Sequence, residues 1–341
     1  PRDSFSQVSS WFPRALVEHV EGGHALLSVY ANDPVMLRDQ PADLVGTLQQ
    51  ATAKAFHPFA ELISKNRTNW AVIGAAAPSW AARVFPGMAA GDAADRLWQA
   101  IFAMCRLDQG DPVAAWRDHL DTLERRAAHL DARRYRALRY SGPGTALTIG
   151  LPEGHRWEGG PSRTQSGIRF TPNLPTEEVF TMPHKDRVDG TVTSSKPLSH
   201  GGILIEDFTL TFEQGRITRA TAARGEDALR RLLDTDDGAR RLGEVALVPH
   251  SSPISRSGLL FYNTLFDENA ASHLAIGTAY RFTLQNGTSM SDDAFAAAGG
   301  NQSRVHVDFM IGSGQLDIDG LREDGSAEPV IRQGEWANVL P

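Results

Sequence analysis

Residues 242–280, LGEVALVPHSSPISRSGLLFYNTLFDENAASHLAIGTAY, constrain this chain most, because they set ionisable side chains inside runs that otherwise read as core. Glu244, His250, Glu268 and His273 interrupt segments of Val, Leu, Ile and Phe, and few Lys or Arg lie nearby in sequence. A carboxylate moved into apolar surroundings is costly unless a cation compensates it. A bound divalent cation is the economical answer.

At 341 residues the chain has room for two domains. Its net charge of -7 is mild and spread along the sequence, which predicts neither a nucleic-acid partner nor an anionic membrane surface. The longest apolar runs, at 70–77 and 243–249, fall well short of the roughly 20 residues of a spanning helix. The single cysteine, Cys105 in AIFAMCRL, excludes an internal disulfide framework and suits a reducing, cytoplasmic setting. It reads as a small buried hydrophobe on a helix. PRDSFSQ has no charged stretch followed by an apolar one, so no signal peptide is expected.

Along the chain, residues 8–20 have helical spacing up to Gly22 and Gly23, HALLSVY reads as a strand, 41–65 as a helix, and NWAVIGAAAP as a strand covered on both faces. That alternation predicts an α/β layer. Helices are expected at 80–85 and 93–106, then one long helix or a pair over 111–140. SGPG at 141–144 breaks the helical pattern, which gives two parts: an N-terminal α/β domain over 1–140 and a mixed α+β domain over 141–341. In the second part, ALTIGL, GIRFTPN and EEVFT read as strands, LIEDFTLTFEQGRITRATA as a hairpin turning at Gln214 and Gly215, and GEDALRRLLDTDDGAR as a helix stopped by Gly238.

Four pieces carry candidate ligands. On a strand through EEVFT, Glu177 and Glu178 point to opposite faces, so only one can reach a shared site. In GEVALVPH, Glu244, Ala246, Val248 and His250 share a face, which leaves room beside the carboxylate. In FDENAASHLAIG, Asp267 or Asn269 can cap a helix that starts with Glu268 and carries His273 just over a turn later. In HVDF, His306 and Asp308 project side by side from one face of a strand. Each piece alone is also compatible with an ordinary core or surface residue, and there is no HExxH, CxxC or P-loop. Residue chemistry leaves metal binding and plain packing both open.

The stretches NLPTEEVFTMPHKDRVDGTV, GGILIEDFTLTF, LGEVALVPHSSPIS, LLFYNTLFDENAASHLAIG and HVDFMIGS resemble the M29 family of metallo-aminopeptidases over nearly all of 141–341. The earlier LSVYANDPVML and NWAVIGAAAPSWAARVFP resemble it more weakly. The resemblance implies a further α/β portion ahead of Pro1, and an acidic residue where Ala146 stands in GTALTIGLP. It also implies two divalent metal ions held by Glu178, Glu244, Glu268, His273, His306 and Asp308, with Tyr280 beside them as a catalytic residue. Glu178 is placed as ligand or base, whereas His250 and Glu177 fall outside the set and read as supporting residues.

Mixed oxygen and imidazole donors admit Zn, Co or Mn, and Mg less readily. Two such cations activate a water to hydroxide and polarise the scissile carbonyl. The resemblance implies removal of N-terminal residues from peptides with a free amine, and a homodimer. The alternatives are another metal-dependent amidohydrolase, or an inactive binding protein of the same fold.

Overall fold

In the computed structural model, which describes residues 2–37 and 39–338, Leu26–Tyr30 and Trp70–Gly74 pair in parallel from Leu26 opposite Trp70 to Tyr30 opposite Gly74. Parallel neighbours need a long crossover, and the helix Ala42–Ser64 provides it. A short later strand, Asn173–Leu174, adds to Trp70–Gly74, so the first sheet draws on both parts of the sequence. Helices Pro78–Val84 and Ala90–Met104 follow, and their core of Trp80, Leu97 and Ile101 is shared with Phe261 and Phe266. The Trp80 indole donates to the Phe261 carbonyl (2.5 Å), and a Cβ on Gly74 would lie 2.7 Å from the Phe266 ring. Only glycine permits that approach, which seats the 261–268 segment over the first sheet. Cys105 is buried at the end of the second of these helices, with its thiol pushed up to about 12 by burial.

Pro112–Arg133 is one helix, started by Pro112 and by the Asp111 carboxylate, which accepts from the Ala114 N–H. It ends earlier than the periodicity suggests, because Arg134 takes a left-handed conformation and Ala137–Gly142 is already a strand. SGPG therefore turns the hairpin between Ala137–Gly142 and Thr145–Gly150 rather than ending a helix. The 203–224 hairpin turns at Gln214 and Gly215 as expected, while the next helix, Glu226–Leu233, stops before Gly238.

The result is a mixed α/β fold with several sheets. A nine-stranded sheet has Thr145–Gly150 and Ala137–Gly142 near its middle, and a five-stranded antiparallel sheet runs His306–Met310, His273–Gly277, Leu242–Leu247, Val179–Thr181, Glu158–Gly159. One hydrophobic core joins them: Leu138, Ile149 and Phe208 of the larger sheet meet Val245, Leu274 and Phe309 of the smaller, with the Phe208 and Phe309 rings 5.4 Å apart. Among the described residues no helix is long and apolar enough to cross a membrane.

Candidate metal centre

The period of two along each strand divides the five-stranded sheet into an oily face and a charged one. Val245, Leu247, Leu274, Ile276 and Phe309 enter the core. The alternate residues lie on the other face, and antiparallel register aligns them across the strands: Glu244 opposite Ala275, Ala275 opposite Asp308, Ala246 opposite His273, and Gly277 opposite His306. Ala246, Ala275 and Gly277 carry little or no side chain, so the two carboxylates and two imidazoles rise from a shallow floor. A bulge between Leu242 and Glu244 lets Gly243 pass against the Thr278 and Gly277 carbonyls, where a Cβ would stand 2.2 and 2.4 Å from oxygen. Glu178, just ahead of Val179–Thr181, joins this face.

The donors fall into two groups that share Glu244: Glu178, Glu244 and His273, and Glu244, His306 and Asp308, with the ligand atoms of each group within 4.8 Å of one another. Glu244 Oε1 lies 3.5 Å from His273 Nε2 and its Oε2 lies 3.7 Å from His306 Nε2, so the carboxylate reaches both ways. Glu178 Oε2 is 3.0 Å from His273 Nε2, and Asp308 Oδ1 is 3.3 Å from His306 Nε2. Each imidazole donates through Nδ1 to a backbone carbonyl, His273 to Ala271 (3.1 Å) and His306 to Thr278 (2.7 Å). In the neutral ring this fixes the Nε2 lone pair toward the carboxylate oxygens. Lone pairs facing one another repel unless something positive lies between them, and Glu178 Oε2, His273 Nε2 and Asp308 Oδ1 are all buried without a hydrogen-bond partner. These residues fit divalent cation binding.

The electrostatics point the same way. Burial, with Asp308 and Glu178 nearby, raises the Glu244 carboxyl to about 7, and burial and the same neighbours push Glu268 well above the usual range. Burial opposes charge on the imidazoles, but the carboxylates outweigh it, raising His306 to about 9 and His273 well above its ordinary value. The cluster thus gathers protons to offset its own negative charge, and cations bound there would displace them.

Glu268 lies beside both groups without belonging to either, on a 3-10 turn, Glu268–Ala270, that follows the short helix Thr264–Asp267. His273 does not share a helix with it, contrary to the spacing argument. Asn263 takes the cap, Asp267 folds back to accept from the Phe261 and Asn263 N–H groups, and the chain is extended by Ala271, so His273 opens a strand. Tyr280 stacks on Phe282 (centroids 5.2 Å) and its ring lies 4.6 Å from that of His306. Burial first, then Glu244 and Asp308, drive the Tyr280 hydroxyl upward, so it stays a hydrogen-bond donor.

The strand begins only at Val179, yet Glu177 turns away from the centre, as the expected alternation had it, and pairs with Arg106 at 2.7 Å. That cation is distant in sequence, which is why local composition missed it. His250 is exposed in a turn, with its N–H donating to the Gly334 carbonyl, and takes no part in the site. Asn269, fully buried, accepts from the Glu177 N–H (2.6 Å) and donates to the Leu265 carbonyl (3.0 Å), tying the Glu178 segment to the Glu268 segment. Its only sequence signal was its place in DENAASH, read there as a possible cap.

A cavity of about 920 Å³ opens onto Glu268, Tyr280, His306 and Asp308, and a recess of about 80 Å³ shares these residues with it. Against known proteins, the family described as thermophilic metalloprotease (M29) matches residues 1–336. The chain is 49% identical over 340 residues to Aminopeptidase 2 of Geobacillus stearothermophilus, covering 100% of this chain and 82% of that one. It is 49% identical over 336 residues to Aminopeptidase T of Thermus thermophilus, covering 98% and 82%. The solved structure of wild-type AmpT from Thermus thermophilus superposes with a TM-score of 0.91 at 47% identity, over 99% of this chain and 82% of that chain.

Proposed function

This chain belongs to the M29 family and is a metallo-aminopeptidase, a hydrolase; from that premise we propose that it removes N-terminal residues from peptides at two divalent cations that Glu244 and the donors on either side of it would hold. The observation that carries the proposal is the position of Glu244, one oxygen toward each imidazole, between two groups of donors. Glu178, Glu244 and His273 would hold one cation, and Glu244, His306 and Asp308 the other, with Glu268 adding the fourth carboxylate. Zn, Co or Mn suits that donor set.

When bound, the cations would supply Lewis acidity at the scissile carbonyl and would lower the pKa of a water toward neutral. The protein's part is orientation and charge. Ala271 and Thr278 hold the imidazoles in the ligating tautomer, and four carboxylates balance four positive charges. Tyr280, kept protonated, donates toward the oxyanion that develops on the substrate carbonyl, an effect worth roughly 3 kcal/mol for a comparable donor. Glu178 would serve as ligand or as base. A homodimer acting on short peptides belongs to the same proposal on the strength of the family resemblance, and the single cysteine supports a cytoplasmic setting.

The test compares turnover of leucine 7-amino-4-methylcoumarin amide with that of its N-acetylated form. A strong preference for the free amine is expected, and equal rates would remove the aminopeptidase assignment in favour of another amidohydrolase. Elemental analysis after reconstitution with Zn or Co should find two metals per chain; fewer than one would leave only a binding protein of this fold.

A further inference from the structure

We infer that Phe180, Phe282 and Trp70 form the wall that receives the side chain of the substrate's N-terminal residue, and that they select apolar residues there. This rests on the aminopeptidase reading above. The recess of about 80 Å³ is lined both by metal ligands and by Trp70, Pro172, Phe180 and Phe282. It shares Trp70, Asn173, Glu268, Tyr280, His306 and Asp308 with the cavity of about 920 Å³, so the two spaces meet at the metal ligands. Much of the recess is the space the cations would take, so its aromatic side offers a contact surface to no more than the single residue that precedes the scissile bond in an exopeptidase.

The wall is built rather than incidental. Phe180 stands opposite Ala246 on the ligand face of the sheet, which turns its ring toward the metal ligands. Its centroid lies 6.3 Å from both Tyr280 and Phe282 in edge-to-face packing, while Tyr280 and Phe282 stack at 17°. Three rings held this way keep a fixed apolar surface beside the reacting carbonyl. Beyond the ligand carboxylates the recess offers no charged side chain, so neither an ammonium nor a carboxylate on the substrate's first residue finds a partner to offset its desolvation.

The experiment measures kcat/KM of the metal-loaded enzyme on 7-amino-4-methylcoumarin amides of Gly, Ala, Leu, Phe, Lys and Glu. Wild type should favour Leu and Phe over Lys and Glu by about 10-fold or more, and Phe282→Ala or Phe180→Ala should lower Leu and Phe by about 10-fold while changing Gly by less than about 3-fold. Phe282→Leu, which keeps an apolar wall, should retain the Leu preference and guards against an alanine variant that fails to fold. A wild-type preference for Lys or Glu would overturn the inference, as would an equal fall on all six substrates at undiminished metal content. Absence of any turnover on free-amine substrates is a distinct result: it removes the aminopeptidase reading, and the wall's role with it.

Discussion

Asn269→Ala should damage both stability and metal binding, although Asn269 touches no substrate and holds no cation. Its Oδ1 accepts the Glu177 N–H at 2.6 Å and its Nδ2 donates to the Leu265 carbonyl at 3.0 Å, inside a site with no solvent exposure. Alanine leaves a buried N–H and a buried C=O without partners, at about 1–3 kcal/mol each, so the metal-free protein should lose on the order of 2–6 kcal/mol. The same change releases Glu178 and Glu268 from their common tether. Outer partners of metal ligands are typically worth about 10–100-fold in affinity, and a comparable rise in the metal Kd is expected. Urea unfolding at 25 °C of the metal-free protein reads the first effect, and competition with a fluorescent chelator reads the second. Asn269→Asp, which keeps the acceptor for Glu177, should recover part of the stability but place a further negative charge beside Glu268. A loss below about 1 kcal/mol for the alanine variant, with unchanged metal affinity, would refute the view that this side chain joins the two segments.

Tyr280→Phe should lower kcat by about 10²–10³-fold with little change in KM, and an unchanged turnover number would exclude the hydroxyl from the reaction. Glu244→Gln should release both cations and abolish turnover, whereas His306→Ala should abolish turnover yet retain one cation; elemental analysis of the two purified variants distinguishes a shared ligand from separate ones. Glu158, raised to about 7 mainly by burial and next by Asp131, gives a pH effect of known sign. Between about 4.5 and 7 the folded protein holds this proton and the unfolded chain does not, so stability falls as pH rises through that window, by up to about 3 kcal/mol. Glu158→Gln should remove this component of the slope, and urea midpoints at pH 5 and pH 8 that shift identically in variant and wild type would refute it.

Much of the centre was legible one segment at a time. Alternation along a strand is a local property, so Glu244 beside Ala246, and His306 beside Asp308, could be assigned to one face before any partner strand was known. The opposition of Glu177 and Glu178 was expected from the same rule; the strand starts only at Val179, and Arg106 is what holds Glu177 on the far side. Local rules failed where two short-range patterns competed. DENAASH can continue a helix or end one, and the choice was made by Asp267 folding back on Phe261 and Asn263, contacts that periodicity does not encode. SGPG suits a helix break and a hairpin turn equally well, and the pairing of Ala137–Gly142 with Thr145–Gly150 decided between them.

By itself the sequence determined the kinds of donor, the faces they occupy and the apolar runs that bury them, because these depend on residue chemistry and on the two-residue repeat of a strand. Only tertiary structure decided that Ala275 would separate Glu244 from Asp308, that Asn269 would reach across to Glu177, and that Phe180, Tyr280 and Phe282 would close around the recess. Register between strands is set by which segments become neighbours, and that follows from packing of the whole chain rather than from any window of it.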